Sequence, residues 1–467
     1  MTLVEKLSLS EPTKLCALAE KVAELALDDG ADAAEVLVAA GQALNVKIRR
    51  GEKELLQESE SRALGLRVFS QHRSAVCHTS DLSEAALRRF VHETVELSAL
   101  SEPDELNELP PRDWLWPMGQ KEPALELWSD ATACLQAPEL FDWARRCEAA
   151  ALAYSPKISN TDGASADRTS GCAALAMMDK NGLGFSGASA ATTCALVVEV
   201  LCDEPDGKKR NASHWSSART AACLLSPEEV GQQAARRVLA KLGSQKIATA
   251  ELPVVFDPDS SRALLRTFAS VITGSAIYRK NSYLVGRLDS QVASSLITIV
   301  DDPLLVRGPG SRFFDGEGLA ARRNLVVENG TLRDYLFDTY SARKLGRRSN
   351  GCAGRSIGGL PYVATSNFIL QAGTTPAAEL LSGIDRGLYV TDMMGFGFNA
   401  VTGDFSRGAA GFLIEHGKLT TPVSEVTVSA HFDDLLRRID AVGDDLDKRA
   451  ATMAPSLRIS RMTVAGH

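Results

Sequence analysis

The chain has 467 residues, which is too long for a single hydrophobic core, so about two or three domains are expected. Its hydrophobic fraction of 45% and its charged fraction of 24% are ordinary for a globular protein. The net charge of -8 argues against a nucleic-acid-binding protein that works by neutralising phosphates.

The sequence lacks the patterns that are typical of secreted and membrane proteins. The first twelve residues, MTLVEKLSLSEP, include early acidic residues and no long apolar run, unlike a signal peptide. A long uncharged stretch, residues 181–198, is rich in Gly, Ser and Thr, which favours hairpin strands over a membrane helix. Nine cysteines are scattered without a C-x-x-C pair, as expected for buried thiols in a reducing compartment. A cytoplasmic protein with neither membrane nor nucleic-acid partners is therefore expected.

Residues 1–103 predict an N-terminal α+β domain. A helix from about Glu11 to Leu27 is followed by alternating apolar and polar residues, which indicate antiparallel strands. Turns are expected near Gly41 and at Arg50 and Gly51. A second amphipathic helix follows, so helices and strands together indicate mixed layers.

Residues 104–246 predict a central domain that begins with a strap. The strap is a Pro-rich, acidic segment without a sustained period, and its two Trp residues are expected to dock on a neighbouring element. Beyond it we expect a helix at about residues 138–154, hairpins around residues 160–163 and at Asn181 and Gly182, and a helix opened by a capping box of Ser226 and Glu229.

Residues 247–467 predict a mostly-β C-terminal domain. Asn329 and Gly330 favour a type I′ hairpin turn between β-rich arms, and a similar pattern recurs around Gly417. One helix is expected after residue 430, before a final strand. The predicted fold class is therefore α+β, with N-terminal α/β layers that contain antiparallel sheets and a β-rich C-terminal domain.

A short helix is predicted within residues 257–280. Asp257 suits its N-cap and Gly274 its C-cap, and apolar residues recur between them at helical spacing. Past its first turn, the polar face carries no acid, base or metal ligand before Tyr278. The sequence alone leaves the purpose of this helix open.

Several chemical signatures are absent or incomplete. GLGFSG and GFGFNA fit the dinucleotide-binding pattern, but no good helix follows either loop to hold a pyrophosphate. His92 begins like the zinc motif H-E-x-x-H, but Glu96 stands where the second histidine is needed. Nothing resembles the G-x-S-x-G nucleophile elbow, although a triad that converges only in space stays open.

The densest polar cluster is TDMMGFGFNAVTGDFSRGAAGFLIEHG, residues 391–417. It packs Gly, Asn, Thr, Asp and Ser between strands together with an Arg. One interpretation is a set of tight turns that need unusual backbone angles. The other is a loop that lines a cleft, and composition alone does not decide between them.

Two stretches carry the most specific pattern of the chain. One contains GFNAVTGDFSRGAAGFLIEHGKLTTPV, DDLLRRIDAVGDDL and the tail APSLRISRMTVAG, and the other is FFDGEGLAARRNLVVENGTLRDYLFDTYSARKLGRRSNG. Both resemble the C-terminal part of the TldD/PmbA family, and ALGLRVF in the N-terminal strand region is compatible with it. The resemblance extends over nearly the whole chain.

This resemblance implies a cytoplasmic zinc metalloprotease that acts on unfolded peptides and has two kinds of subunit in a heterodimer. The TldD branch carries an H-E-x-x-x-H helix and a late cysteine ligand. Together they would hold a zinc ion that activates a water molecule beside a general base. The PmbA (TldE) branch lacks those ligands and completes the chamber that holds the peptide.

Aligned with that motif, the helix within residues 257–280 has lost its zinc ligands. Arg266 and Val271 occupy the histidine positions, and Thr267 occupies the glutamate position. The late cysteine is expected in KRAATMAPSL, residues 448–457, which contains none. The resemblance therefore favours the PmbA/TldE branch, with no catalytic or metal-binding residue in this chain and zinc in a TldD-like partner.

Whether this chain is itself an enzyme stays open from sequence. The preferred hypothesis is a non-catalytic subunit of a heterodimeric protease. Its predicted peptide-channel loop consists of Asn399, Thr402, Gly403, Asp404 and Arg407. The alternatives are a self-sufficient homo-oligomeric hydrolase that uses Cys352 or an aspartate, and a binding or regulatory protein without protease activity.

Overall fold

The structure is a computed structural model that describes residues 12–204 and 207–466. Helix α1 spans Pro12–Asp28, so the predicted start at Glu11 lies outside the described residues. The expectation about a signal peptide concerns residues that also lie almost entirely outside them. Within the described ranges, every helix is too short or too polar to cross a bilayer.

Strands from the first two predicted domains form one antiparallel sheet. They are β1 (Ala33–Arg49), β2 (Glu52–Ser70), β3 (Arg73–Thr79), β4 (Ile158–Asp179), β5 (Gly182–Asp203) and β6 (Lys209–Ala218), in the order β3-β2-β1-β4-β5-β6. Strand β1 joins the two halves because it pairs with β2 on one side and with β4 on the other. The predicted boundary near residue 103 stays a prediction, and the strands on either side of it share this sheet.

Helices cover one face of this sheet. They are α1, α2 (Glu84–Ser98), α3 (Asp130–Ala133), α4 (Ala137–Ala153) and α5 (Pro227–Ala240). Alternate residues of β1 face them because successive side chains of a strand point to opposite faces. Val36 and Val38 join the apolar cluster of α1 and α2, and Val46 and Ile48 join that of α4 and α5.

The strap between α2 and α3 covers part of the opposite face. Trp114 and Trp116 are partly buried there against Leu175 and Phe185 of the sheet. The Trp116 ring also meets the Phe313 ring edge-on, with 5.7 Å between centroids. The predicted docking of the two strap tryptophans is confirmed.

The C-terminal part is rich in short strands. The strands are β7 (Ala250–Phe256), β8 (Ile299–Asp301), β9 (Asn324–Glu328), β10 (Thr331–Leu332), β11 (Ala353–Gly354), β12 (Tyr362–Val363), β13 (Phe368–Leu370), β14 (Arg386–Met394), β15 (Asp404–Glu415), β16 (Lys418–His431), β17 (Ile439–Val442), β18 (Thr452–Met453) and β19 (Leu457–Ala465). The helices are α6 (Pro258–Val271), α7 (Gly274–Tyr278), α8 (Thr339–Lys344) and α9 (Phe432–Arg437).

Two sheets enclose α6. One has the order β16-β15-β14-β7-β19-β17, and an additional pairing of β16 with β19 closes it into a barrel. The other has the order β10-β9-β8-β13-β18. Helix α6 packs between barrel strands β7 and β14 and the edge strand β18, so its apolar side belongs to the C-terminal core. The prediction of an α+β fold with a β-rich C-terminal part is confirmed.

Turns that need positive φ angles are where the sequence predicted them. Arg50 and Gly51 connect β1 to β2, and Gly182 follows the turn from β4 to β5. Asn329 and Gly330, with φ of 46° and 79°, connect β9 to β10. Glycine, alone or after asparagine, therefore marks these hairpins because it tolerates a left-handed backbone, and Arg50 adopts a φ of 51° beside Gly51.

Two predicted turns are wrong. Gly41 lies in the middle of β1, opposite Ser61 of β2 and Gly171 of β4. Residues 160–163 lie inside β4, where shifts in register mark bulges and Gly163 has a φ of 108°. Glycine in a strand interior often marks a bulge or a close backbone approach, and sequence alone does not separate those cases from a turn.

The predicted C-cap at Gly274 is also wrong. Helix α6 ends at Val271, and Thr273 caps α7 by accepting the N–H of Ala276. A Cβ on Gly274 would lie 2.5 Å from Ser341 Oγ, so glycine is needed here for the close approach of α8. The segment within residues 257–280 is therefore two helices rather than one.

Candidate functional site

Helix α6 places the three motif positions in different environments. The Asp257 carboxylate caps the helix, as predicted, by accepting the N–H of Ser260 at 2.8 Å. Arg266 is exposed, Thr267 is half-buried and Val271 is fully buried in the C-terminal core. Residues five apart are about 140° apart around a helix, which accounts for the contrast between Arg266 and Val271.

The donor chemistry of these positions does not fit a zinc ion. Zinc is bound in proteins by Cys, His, Asp and Glu side chains. The Arg266 guanidinium is permanently charged, and the Val271 side chain has no donor atom. The Thr267 hydroxyl donates to the carbonyl oxygen of Ala263 at 3.0 Å, within its own helix. These three positions of α6 therefore do not supply a set of ligands for a metal ion.

Ion pairs join α6 to the segment after β17. Arg262 contacts Asp259 at 3.0 Å in the first turns of α6, and it also bonds Asp447. Arg449 contacts Asp447 at 2.7 Å and Asp259 at 3.4 Å. We call these four residues the α6 charge network. It lies between the motif helix and the segment in which the late cysteine is expected.

The α6 charge network also reaches the N-terminal sheet. Arg237 on α5 contacts Asp259 at 2.9 Å. The Arg449 guanidinium lies 4.9 Å from the centre of the Trp215 ring on β6 and donates to the Trp215 carbonyl oxygen at 3.1 Å. Burial, together with Arg237 and Arg449, lowers the pKa of the adjacent His214 to about 4. This histidine is therefore neutral and adds no charge at neutral pH.

Three of the five predicted channel residues, Asn399, Thr402 and Gly403, lie in the loop between β14 and β15, and Asp404 is the first residue of β15. The Asn399 carboxamide oxygen accepts the N–H of Thr402 at 3.3 Å, and the Gly403 N–H donates to the Asn399 carbonyl at 2.8 Å. The Thr402 hydroxyl donates to Asp404 at 2.6 Å. Arg407 lies further along β15, half-buried, where desolvation lowers its pKa. That these residues line a peptide channel stays a prediction.

The tip of this loop is apolar. Phe396 is 101% exposed, and Met394 and Val401 are about half exposed beside it. The Ser406 N–H donates to the Gly397 carbonyl at 2.7 Å and holds the tip against β15. The loop therefore combines a hydrogen-bonded turn with a projecting aromatic side chain, which the sequence analysis did not single out.

Cys352 lacks the surroundings of a reactive nucleophile. Its side chain is fully buried, and its sulfur lies 3.7 Å from an Asp301 carboxylate oxygen and 3.3 Å from the Asn324 amide nitrogen. Burial, with Asp301 adding to it, raises the pKa of the thiol well above its usual value. Reactive cysteines have lowered pKa values and some exposure, so the hydrolase alternative that uses Cys352 is disfavoured.

A cleft that the sequence analysis missed lies beside α7 and α8. Its volume is about 480 Å³, and several parts of the chain contribute to its walls. The residues that matter for its chemistry are Arg67, Asp104, Tyr278, Glu317, Asp338 and Tyr340. We call it the Glu317 cleft.

Glu317 is the most unusual residue of this cleft. It is only 3% exposed, and one carboxylate oxygen accepts the N–H of Thr339 at 2.7 Å. Burial, with Asp315 and Asp338 nearby, raises its pKa to about 8. The one sequence signal for this residue is that Glu317 is an acidic residue within the glycine-rich stretch FFDGEG. The residues that close the cleft come from distant positions of the chain, so the burial of Glu317 could not be inferred from sequence.

Family descriptions match three successive parts of the chain. The description "PmbA/TldA metallopeptidase domain 1" matches residues 34–98, and "PmbA/TldA metallopeptidase central domain" matches residues 132–242. The description "PmbA/TldA metallopeptidase C-terminal domain" matches residues 249–466.

Curated relatives cover nearly the whole chain. Metalloprotease PmbA of Escherichia coli is 32% identical over 435 residues, which are 93% of this chain and 92% of the relative. The metalloprotease PmbA homolog of Haemophilus influenzae is 33% identical over 445 residues, with 95% and 94% covered. The same organism has a metalloprotease TldD homolog that is 27% identical over 296 residues, with 58% and 61% covered.

Solved structures share the fold. A putative modulator of DNA gyrase from Bacteroides thetaiotaomicron has a TM-score of 0.87 and 28% identity, with 97% of this chain and 98% of that one covered. TldE from Thermococcus kodakarensis has a TM-score of 0.82 at 18% identity, with 96% and 100% covered. Together with the family descriptions and curated relatives, these likenesses show that the chain belongs to the PmbA/TldD family of metallopeptidases.

Proposed function

We propose that this chain is the non-catalytic, PmbA/TldE-type subunit of a heterodimeric zinc metalloprotease that cleaves unfolded peptides in the cytoplasm. A TldD-like partner holds the zinc ion. The observation that carries the proposal is the donor chemistry of α6, where Arg266, Thr267 and Val271 stand at the motif positions. One of these side chains is cationic, one is bonded within its helix and one is buried in the core.

A partner of the TldD type is supported by the relatives. Haemophilus influenzae has both a PmbA homolog and a TldD homolog, so the two types occur in one organism. In such a pair, this chain contributes the wall of a peptide chamber. The loop with Asn399, Thr402, Gly403, Asp404 and the more distant Arg407 is the proposed part that faces the peptide.

The proposal is tested by producing this chain alone and together with the TldD-like protein of the same genome. Bound zinc is measured by elemental analysis, and peptidase activity is measured on an unstructured, fluorescence-quenched peptide. We expect neither zinc nor cleavage with the isolated chain, and both with the pair. Stoichiometric zinc or peptidase activity in the isolated chain would refute the proposal.

Matched variants assign the chemistry to one subunit. Substitution of the partner's motif histidines by alanine should abolish cleavage and zinc binding by the pair. Arg266→Ala, at the corresponding position of this chain, should leave both unchanged, because Arg266 is exposed and is not a donor for the metal. If the two chains do not associate at all, the binding-protein alternative replaces this proposal.

A further inference from the structure

We propose that the Glu317 cleft binds the free amino terminus of a peptide, with the Glu317 carboxylate accepting hydrogen bonds from its α-ammonium group. The cleft lies entirely within this chain. The inference therefore needs neither zinc nor a partner subunit, and it goes beyond the proposed function.

The first argument is the distribution of charge around the cleft. Glu35 is fully buried and is compensated by Arg67 at 3.3 Å and by Arg355 at 3.0 Å. Asp315 is compensated differently, because its carboxylate accepts the backbone N–H groups of residues 317, 319 and 353. Both buried carboxyl groups therefore have several ionic or hydrogen-bond partners, although burial still raises the pKa of Asp315.

Glu317 lacks such compensation. The one hydrogen bond of its carboxylate in the described part of the chain comes from the Thr339 N–H, and no ion pair there includes it. Buried carboxylates without a cation avoid the cost of burial by staying protonated. A ligand ammonium would supply the missing cation, because it neutralises a carboxylate and donates hydrogen bonds to its acceptor sites.

A protonated Glu317 side chain agrees with the absence of a compensating cation among the described residues. Burial is the main cause that raises the pKa of Glu317 to about 8, and Asp315, Asp338 and Glu35 add to it. Arg343 also lies near enough to interact with Glu317. At pH 6.5 the side chain is therefore neutral without ligand. Binding of an ammonium group displaces this proton into solvent, so charge balances in the complex.

The second argument is an unused donor in the same cleft. Arg67 is 7% exposed, and its two terminal nitrogens bond Glu35 and Asn107. Its Nε is buried and has no hydrogen-bond partner among the described residues, so a ligand oxygen reaches this donor when the Arg67 side chain shifts. The terminal residue of a peptide offers a carbonyl oxygen on the carbon next to its ammonium-bearing carbon. A lysine side chain offers an ammonium without such a neighbouring carbonyl. The amino terminus of a peptide therefore fits the Glu317 carboxylate and the Arg67 Nε better than a lysine side chain does.

The third argument is the shape of the opening. Leu360 and Tyr362 are both more than half exposed at the cleft. The Tyr278 and Tyr340 rings form an edge-to-face pair with 6.1 Å between centroids and make one wall. An amino-terminal residue can enter between these aromatic and aliphatic groups, while the following residues leave across the exposed rim.

The test uses the purified full-length chain and isothermal titration calorimetry at pH 6.5. The probes are tetra-alanine, N-acetylated tetra-alanine, and N-acetyl-Ala-Lys-Ala amide. We expect tetra-alanine to bind and acetylation to weaken binding by at least about tenfold, because a hydrogen-bonded charge is lost. Equal binding of the free and acetylated peptides would overturn the proposal. Tight binding of the lysine peptide would also overturn it, because the cleft would then recognise a side chain.

Variants link binding to the cleft. Glu317→Gln should weaken tetra-alanine binding by at least about tenfold, while Glu58→Gln, at an exposed carboxylate on β2, should leave it unchanged. If thermal melting shows that Glu317→Gln does not fold, Tyr278→Ala tests the same cleft by removing its aromatic wall. Titrations in buffers of different ionisation enthalpy should also detect proton release with the unmodified chain. Full binding by a folded Glu317→Gln protein would refute the assignment.

Discussion

Arg449 and Asp259 lie 190 residues apart in the chain, and their side chains meet at 3.4 Å. Asp259 is in the first turn of α6, and Arg449 is in the segment where the family resemblance implies a late cysteine. The family resemblance implies that, in a TldD-type subunit, a zinc ion would join those two segments. In this chain, the α6 charge network joins them through contacts that need no metal ion.

The α6 charge network should contribute measurably to stability. Asp447→Asn leaves the Arg262 guanidinium, whose side chain is only 5% exposed, without one of its two carboxylate partners. Loss of a partner in a buried ion pair costs about 3 kcal/mol, so the free energy of unfolding should fall by about that amount. Urea unfolding followed by tryptophan fluorescence checks this, since Trp215 lies against the network.

A matched control separates the buried network from an ordinary surface pair. Asp440→Asn removes the more exposed pair with Arg458, which lies at 2.8 Å. Exposed pairs contribute at most about 1 kcal/mol, so this variant should unfold close to the unmodified chain. Equal destabilisation by Asp447→Asn and Asp440→Asn would contradict the role assigned to the network.

Glu317 should make the fold less stable as pH rises. Its pKa is about 8 in the folded chain, against an ordinary value of 4.5. Between these pH values the folded state binds more protons than the unfolded state. The free energy of unfolding therefore falls with rising pH, by up to about 1.4 kcal/mol per pH unit. The groups that face Glu317 are Asp315, Asp338, Glu35 and Arg343.

Glu317→Gln should weaken this dependence, whereas Asp257, whose pKa burial raises to about 7, should retain part of it. Glutamine keeps an acceptor for the Thr339 N–H and cannot ionise, so the variant should be more stable than the unmodified chain at pH 8.5. Thermal melting between pH 5 and pH 9 provides the measurement, and Glu58→Gln should retain the original pH profile. If the two variants show the same slope, Glu317 is not the group responsible.

Histidine should be tolerated at one of the two positions that align with the motif histidines and not at the other. Arg266→His changes an exposed side chain and should alter stability by less than about 0.5 kcal/mol. Val271→His places an imidazole in the apolar core and should cost about 2–4 kcal/mol, since a buried polar ring lacks partners there. Thermal melting of the two variants gives the comparison. Equal melting temperatures would show that the core around Val271 accommodates a histidine.

Much of the fold could be predicted from local signals in the sequence. The N-cap at Asp257 and the hairpin turn at Asn329 and Gly330 follow from the sequence, because each depends on a few neighbouring residues. The environments of Gly41 and Gly274 depend on residues that are distant in sequence. Gly41 pairs with strands on both sides, and Gly274 allows the close approach of α8, and a single sequence does not report such contacts.

The candidate site shows the same limit. That α6 carries Arg266, Thr267 and Val271 at the positions of the zinc motif is readable from the sequence, because the motif is local and the family resemblance implies its alignment. The α6 charge network could not, since Arg262 and Asp447 are 185 residues apart. The unusual pKa of Glu317 was equally inaccessible, because it depends on burial by elements from several parts of the chain.

Chemical labelling should distinguish the reactive thiols of this chain from the inert ones. Cys134 and Cys223 are exposed, whereas Cys147 and Cys352 are buried. Burial raises the pKa of Cys147 to about 12 and that of Cys352 well above its usual value. Because the thiolate is the form that reacts, iodoacetamide at pH 8 should modify the two exposed cysteines long before the buried ones.

Mass spectrometry of peptides from the labelled chain provides the measurement. Labelling in urea serves as the control, because all four cysteines should react once the fold is lost. Modification of Cys352 should therefore follow unfolding of the core that contains it. If Cys352 instead reacts as fast as Cys223 in the folded chain, its thiol is accessible. The hydrolase alternative that uses Cys352 as a nucleophile would then have to be restored.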